Sequence, residues 1–416
     1  MTRILLLTPQ LPYPPHQGTS LRNFHMLKAL AQVADITLLS MTESENTADL
    51  TPLESYCRVL PPVPVPDRSQ GTRIRQLISS SLPDMGLRLR SEAFVSALNE
   101  ALRSDDYAAV QIEGIELASY IPQIRSASPS ARIVLDCHNA ETELQRRARA
   151  VDRHNPARWS AAVYSTIQTG RLARFESWAL GASDAILAVS EIDRVQLLKL
   201  LPAGAANIRV VPNTIDVVEY DIGGLSSEDI NYDLAFTGKM DYRPNVDGVL
   251  WFVEKVWPAL RESRPGITWA IAGQKPHARL DILRREEGIT ITGFVPHIQP
   301  YLVGASIYIV PLRIGSGTRL KILEAMAAGL PIVSTRIGAE GFDVTDQQEM
   351  VLADSPEEWV ENILRLLDDQ ERRTEMGTAA REFAMRYDWR TIIPLMKEIY
   401  SNLLDGNHGG FWRVTQ

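Results

Sequence analysis

A chain of 416 residues with 45% hydrophobic and 23% charged content has the make-up of a folded protein and the length for two cores of ordinary size. Its net charge of −8 argues against nucleic acid as a partner, and no apolar stretch approaches the roughly 18 residues of a membrane span. Cys57 and Cys137 are its only cysteines, which supports neither a disulfide framework nor a cysteine metal site and points to a cytoplasmic protein.

The chain opens on Arg3–Thr8, whose apolar run is too short for a signal peptide and reads as a buried first strand. Pro12-Tyr-Pro-Pro-His-Gln-Gly-Thr-Ser-Leu-Arg-Asn follows as a loop leading into a helix. Gly18 suits close approach of that loop to a donor phosphate or an acceptor, and Arg22, expected in the helix's first turn, is a candidate for acceptor or sugar binding. Further strands are expected at Asp35–Met41, Ala108–Glu113, Arg132–Asp136, Ala185–Ser190 and Ile208–Pro212, with a short extended stretch at Pro61–Pro66. Nearly continuous apolar strands alternating with helices predict a doubly wound parallel α/β domain covered on both faces.

A glycine- and acid-bearing segment over 216–231 reads as a linker. The strand pattern then restarts at Leu234–Thr237, Thr268–Ala272, Ile289–Thr292, Ile307–Pro311, Pro331–Thr335 and Met350–Ala353. Helices are expected at Pro356–Leu367, Arg372–Arg386 and Trp389–Leu404, before a loose tail. Two Rossmann-like domains, 1–215 and 232–386, followed by a terminal segment 387–416, predict a ligand site in the cleft facing the carboxyl ends of both sheets.

Charge is uneven along this plan. Residues 1–210 hold 22 Lys and Arg against 21 Asp and Glu, whereas 211–416 hold 21 against 30. A locally basic run, Gln145–His154, carries Arg146, Arg147 and Arg149, with Trp159 and Trp178 following. It reads as a solvated helix face, or as a patch for a membrane surface or an anionic acceptor.

The most informative segment is Val310-Pro-Leu-Arg-Ile-Gly-Ser-Gly-Thr-Arg-Leu-Lys-Ile-Leu-Glu-Ala-Met-Ala-Ala-Gly-Leu-Pro. A strand ends, a loop containing Gly315, Ser316 and Gly317 follows, and a helix begins near Thr318. Glycines let backbone amides approach a ligand, and a helix N-terminus favours phosphate. Arg319 and Lys321 add positive charge there, and Glu324 lies one to two turns on, where a carboxylate can accept from ribose hydroxyls. A glycine loop before a helix is weak evidence alone; loop, cations and carboxylate in this order describe a nucleotide-diphosphate pocket. In the first half, Asp136, His138, Asn139 and Glu141 fall just after a strand, where side chains reach a cleft, and Glu113 ends the neighbouring strand.

The long segment closely resembles the donor signature of family 4 (group 1) retaining glycosyltransferases of the GT-B fold. Further motifs resemble the same family: Phe236-Thr-Gly-Lys-Met-Asp-Tyr-Arg-Pro-Asn, Ile271-Ala-Gly, Ile291-Thr-Gly-Phe-Val, Val189-Ser-Glu, Val211-Pro-Asn-Thr-Ile-Asp and Arg386-Tyr-Asp-Trp. The resemblance implies two Rossmann-like domains facing across a cleft, with the C-terminal helix crossing back. It implies a nucleotide-sugar donor held by Gly18, Gly238, Lys239, Phe294, Gly315, Ser316, Gly317, Thr318 and Glu324. Lys239 or Arg319, with Lys321, would neutralise the departing diphosphate, so that neither a metal nor another cofactor is expected. The Asp-x-His-Asn-x-Glu segment resembles that of related transferases, in which the His meets the donor sugar. His138 is thereby a catalytic candidate, with Arg22, Glu113 and Asn139 on the sugar or acceptor side.

Ser316 stands where the family often carries a first glutamate, with seven residues between it and the second at Glu324, and reads as a subfamily feature. The wider similarity points to the exopolysaccharide and exosortase-associated branch, and so to a glycan or lipid-linked acceptor. A non-catalytic nucleotide-sugar-binding protein and a nucleotide-sugar 2-epimerase of the same fold remain alternatives. A dinucleotide oxidoreductase is disfavoured, because the first strand does not lead into Gly-x-Gly-x-x-Gly.

Overall fold

The computed structural model describes residues 2–15, 17–43, 49–152, 159–202, 207–220, 230–315 and 318–405, with the side chains of 148–165 left aside. The chain divides into two compact units: the residues up to Pro212 together with those from Trp389 onward, and Asn213–Asp388.

In the first unit the strands are β1 (Arg3–Thr8), β2 (Asp35–Thr42), β3 (Arg58–Val59), β4 (Val63–Pro64), β5 (Ala109–Glu113), β6 (Arg132–Cys137), β7 (Ala185–Ala188) and β8 (Ile208–Val210). Their order is β3-β2-β1-β5-β6-β7-β8, with β4 also on β2, and every pairing is parallel. Because side chains alternate along a strand, β1 feeds two cores. Leu5 and Leu7 pack with Phe94, Ile112, Leu135 and Phe175 on one face. Ile4 and Leu6 pack with Leu27, Leu30, Met396 and Ile399 on the other. That second face is covered by helices Gly18–Leu30 and Ile393–Leu404.

The expected strands form within a few residues of their predicted bounds. The two-residue strands β3 and β4 had no periodicity to reveal them. Val63–Pro64 pairs with the end of β2 inside the proline stretch that was expected only to be extended. Proline, lacking an N–H, is tolerated at such an edge.

The second unit holds β9 (Tyr232–Thr237), β10 (Trp269–Ala272), β11 (Ile289–Gly293), β12 (Ala305–Val310), β13 (Ile332–Ser334) and β14 (Val351–Leu352) in the order β11-β10-β9-β12-β13-β14, again all parallel. Phe236, Phe252, Trp269 and Trp359 are among its fully buried side chains. Of the expected linker 216–231, residues 221–229 lie outside the described residues. Val217–Tyr220 is a 3-10 turn belonging to the second unit, with Val217 and Tyr220 buried. Among the described residues no helix is long and apolar enough to cross a membrane.

Strand order reverses between β1 and β5 in the first unit and between β9 and β12 in the second. At each reversal the loops after adjacent strands diverge and leave a crevice at their carboxyl ends. Several candidate residues follow the strands at or beside these two places: Gly238 and Lys239 after β9, Gly315, Thr318 and Arg319 after β12, Glu113 at the end of β5 and His138 after β6.

Candidate functional site

In the second unit the loop after β9 begins with Gly238 and Lys239, and the loop after β12 leads to Arg319, the N-cap of helix Leu320–Ala327. Lys321 is the joint of the two loops. Its Nζ donates to Asn245 Oδ1 at 2.8 Å and sits 4.1 Å from the centre of the Phe236 ring. Asn245 in turn donates to the Lys239 carbonyl at 2.8 Å. Gly238 has φ +146°, and a Cβ there would lie 2.7 Å from Lys321 Nζ. A Cβ on Gly273 would lie 1.7 Å from the Gly238 carbonyl oxygen, so the Ile271-Ala-Gly segment ends on glycine because two backbones touch.

Glu324 accepts from the Tyr220 hydroxyl at 2.9 Å. Thr318 is fixed by Asn213, whose Nδ2 donates to its hydroxyl at 2.8 Å and its carbonyl at 3.1 Å. Arg319 donates to the Ile337 carbonyl at 3.2 Å and lies against Gly315, where a Cβ would be 2.2 Å from its guanidinium. Burial pushes Lys321 down to about 7, with Glu324 opposing the shift and Arg319 adding to it. Burial pushes Glu324 up, against the Tyr220 hydrogen bond and the Lys321 charge. The result is a desolvated cation at a helix N-terminus, poised to gain from an incoming anion.

Lys239 is partly exposed, its Nζ 3.9 Å from Asp241. Phe294, just past edge strand β11, is 60% exposed, an apolar ring of the kind that a stacked base covers. Ser316 and Gly317 lie outside the described residues. Tyr220 stands in none of the sequence motifs, and Phe236 opens one of them without being marked there as a neighbour of the pocket. Asn213 and Asn245 stand inside quoted motifs, but their partners lie 105 and 76 residues away.

In the first unit, Glu113 ends β5 and Asp136 lies next to the end of β6, with His138 just beyond. His138 Nε2 is 3.1 Å from Glu113 Oε2 and 3.8 Å from Asp136 Oδ2. Arg22, buried in the second turn of its helix and not in an exposed first turn, donates to both Asp136 oxygens at 2.6 and 2.8 Å and to the Val211 carbonyl at 3.2 Å. Asn23, with its amide nitrogen turned inward, reaches Glu113 Oε2 at 3.1 Å, the Thr19 carbonyl at 3.2 Å and His138 Nε2 at 3.3 Å.

Burial raises Asp136, but the Arg22 guanidinium outweighs it and holds the carboxyl below its usual range. Burial and the nearby Asp136 charge push Glu113 up to about 7 against the His138 hydrogen bond. Burial lowers His138, yet Glu113 and Asp136 leave its imidazole raised overall. The hydrogen bond between them thus opposes the upward shift of Glu113 and supports that of His138.

A pocket in front of His138 is lined by Thr19, Gly114, Glu116, Asn139 and Glu141. Asn139 donates to Glu141 at 2.9 Å, and burial, with Glu116 adding, pushes Glu141 up to about 7. Gly18 starts the neighbouring helix at the surface.

Glu113, Asp136 and His138 offer ligand atoms within 4.8 Å of one another, a grouping that linear spacing did not reveal. Arg22 already supplies Asp136 with a cation at both oxygens. In the basic run, Arg146 and Arg147 pair with Glu143; the side chains of Arg149 and Trp159 are not described.

A family model of glycosyl transferases group 1 matches residues 231–369, and one of Glycosyltransferase Family 4 matches 23–219. Glycogen synthase of Mycobacterium tuberculosis is 26% identical over 236 residues, 54% of this chain and 56% of that protein. D-inositol 3-phosphate glycosyltransferase of Segniliparus rotundus is 27% identical over 255 residues, 56% of this chain and 55% of that one. The chain thus spans about half the length of these curated relatives. Anabaena Alr3699/HepE, solved in complex with UDP and glucose, superposes with TM-score 0.66 at 15% identity, covering 95% of this chain and 99% of that one. Sucrose-phosphate synthase from Thermosynechococcus elongatus gives 0.70 at 16% identity, covering 98% and 100%. These structural likenesses show the fold.

Proposed function

We propose that this chain, which belongs to the group 1, family 4 glycosyltransferases, transfers a hexose from a nucleotide-diphosphate donor to a glycan or lipid-linked acceptor, with retention and without a metal. The observation that carries the reading is Lys321, desolvated between Phe236, Gly238 and Asn245 at the start of a helix, with Arg319 and Glu324 beside it.

A diphosphate at that helix start replaces the water Lys321 has lost, and two cations neutralise the leaving group that a bound metal would otherwise neutralise. Glu324, with Lys239 and the loop of Gly315, Ser316, Gly317 and Thr318, holds ribose and phosphates; Phe294 covers the base. Solved complexes of Anabaena Alr3699/HepE with UDP-glucose and with UDP make a uridine donor the first to try.

When the anomeric carbon–oxygen bond breaks, the diphosphate keeps the electron pair and the sugar passes through a cationic state. With retention, the acceptor hydroxyl attacks from the side the diphosphate leaves, and a phosphate oxygen takes its proton. His138, held by Glu113, hydrogen-bonds the transferred sugar, with Asn139 beside it. Arg22 serves that site through Asp136.

Cytoplasmic placement, and a peripheral contact with a membrane, belong to the same proposal. Exposed Ile74 and Ile78 beside Arg73 and Arg75 on helix Gln70–Ser79, and half-exposed Trp178, suit an anionic lipid surface.

Calorimetry of the purified chain against UDP-, GDP-, ADP- and dTDP-sugars in metal-free buffer tests the pocket. One base should bind, and Lys321→Ala and Glu324→Ala should each weaken it at least tenfold with the fold intact; unchanged affinity in both would refute the assignment. His138→Ala should slow transfer and leave nucleotide affinity nearly unchanged. Donor binding without transfer or slow hydrolysis would favour the non-catalytic alternative.

A further inference from the structure

Behind His138 the hydrogen bonds continue inward to the C-terminal helix. Gln111 and Glu113 stand two apart on β5, so their side chains leave the same face of the sheet. On that face the helix Ile393–Leu404 buries Met396, Ile399, Tyr400 and Leu403. The Tyr400 hydroxyl donates to Gln111 Oε1 at 2.5 Å, and Gln111 Nε2 donates to Glu113 Oε1 at 2.6 Å. Glu113 Oε2 then meets His138 Nε2 at 3.1 Å. Gln111, Glu113 and Tyr400 are all buried.

Each link fixes the next. A glutamine amide can face either way, and a hydroxyl donor on its oxygen turns its NH₂ toward Glu113. Glu113 then accepts from Gln111 on one oxygen and is left the other for His138 and Asn23. The two nearer oxygens, of Glu113 and of the Thr19 carbonyl, take the two Asn23 amide protons, so Nε2, facing the carboxylate, carries the ring proton and leaves Nδ1 as the other ring nitrogen. Packing alone needs only the ring of Tyr400, and phenylalanine would supply that without burying a polar atom.

We propose that Tyr400 is a positioning residue for His138, acting through Gln111 and Glu113 to set the orientation and tautomer of the imidazole. The proposal rests on the reading that His138 meets the transferred sugar. Facing that imidazole are Glu113 from β5, Asp136 from β6 and Arg22 from helix Gly18–Leu30, with Glu116, Cys137 and Glu141 lining the pocket before it; Tyr400 reaches it from the C-terminal helix through Gln111 and Glu113. Burial and the charges of Glu113 and Asp136 raise the Tyr400 phenol well above its ordinary value, so it stays a donor across the working pH range.

The test is long-range proton–nitrogen correlation of histidine-labelled full-length protein, with the His138 signal assigned by its loss in His138→Ala. The expected wild-type signal has the proton on Nε2. In Tyr400→Phe it should move toward a mixture of tautomers, and Gln111→Met, which cuts the same chain at its middle, should do likewise. An unchanged His138 signal in Tyr400→Phe would overturn the proposal. With the donor found by calorimetry, Tyr400→Phe should lower kcat roughly tenfold at unchanged donor KM, and should add nothing in the His138→Ala background. Equal losses in both backgrounds would mark Tyr400 as a packing residue and also overturn it. A spectral change in Tyr400→Phe with full activity in His138→Ala would leave the relay standing and remove the sugar role from His138.

Discussion

At the scale of single residues, the second unit's chemistry turns on the protonation of Lys321. Its ammonium is held by one amide oxygen and one aromatic face, and burial puts its pKa at about 7. An arriving diphosphate restores the charged form, so the complex has the higher pKa and binding takes up a proton. Affinity for a nucleotide-sugar should therefore be greatest below pH 7 and fall as pH rises above it, by up to about tenfold per unit, until the pKa of the complex is passed. Calorimetry in buffers of different ionisation enthalpy should register that uptake, and Lys321→Gln should bind more weakly with a flat profile. Affinity constant from pH 6.5 to 8.5 in the unaltered protein would contradict the buried-cation picture. Lys321 itself was legible in the sequence, because a cation four residues after the last glycine of a loop is a local pattern. Its depressed pKa was not, since Phe236 and Asn245 reach it only through the sheet.

At the scale of elements, the clearest difference between expectation and fold is Arg22. Its place near a helix start at the end of β1 suggested a ligand contact. The helix instead turns it inward onto Asp136, 114 residues away, and onto the carbonyl that follows β8. The strands were legible because each is a short apolar run between turns. The long-range ion pair was not, because nothing local distinguishes an arginine that faces solvent from one that faces another strand's end. The pair joins helix Gly18–Leu30, β6 and the chain after β8, and both partners are buried. Removing one charge strands the other without solvent, so Arg22→Met should lower the unfolding free energy by about 3–5 kcal/mol in urea titration. Arg22→Met with Asp136→Leu should recover much of that loss. Because Asp136 is held below its ordinary pKa, the pair's contribution is present above the unfolded carboxyl pKa and is lost as pH falls through the lower folded value. A loss under about 1 kcal/mol for Arg22→Met would mean that water reaches the pair.

At the scale of the whole molecule, each unit supplies its own positive charge at the place where its strand order reverses: Arg22 in the first, Arg319 and Lys321 in the second. Both parallel sheets were foreseeable from strands and loops alone, as the apolar-run pattern starts twice, at Arg3 and again at Leu234. The grouping of Glu113, Asp136 and His138 was not, because it needs two adjacent strands to end in register, with Glu113 opposite Asp136. That grouping has the ligand types of a divalent-ion site, yet a cation there would have to displace a guanidinium that already holds both Asp136 oxygens. The second unit has no such grouping among the described residues and offers a diphosphate Lys and Arg instead. Transfer should therefore survive dialysis against EDTA with less than a twofold change, and added Mg²⁺ or Mn²⁺ should not raise it. In the same metal-free buffer, the bound nucleotide-sugar should slow amide exchange in the Gly238–Lys239 turn and in the first turn of helix Leu320–Ala327, where backbone N–H groups face an anion. If EDTA abolished transfer and left this protection intact, a metal would belong to the chemistry of the first unit. If it abolished both, Lys321 and Arg319 would not suffice to hold the diphosphate.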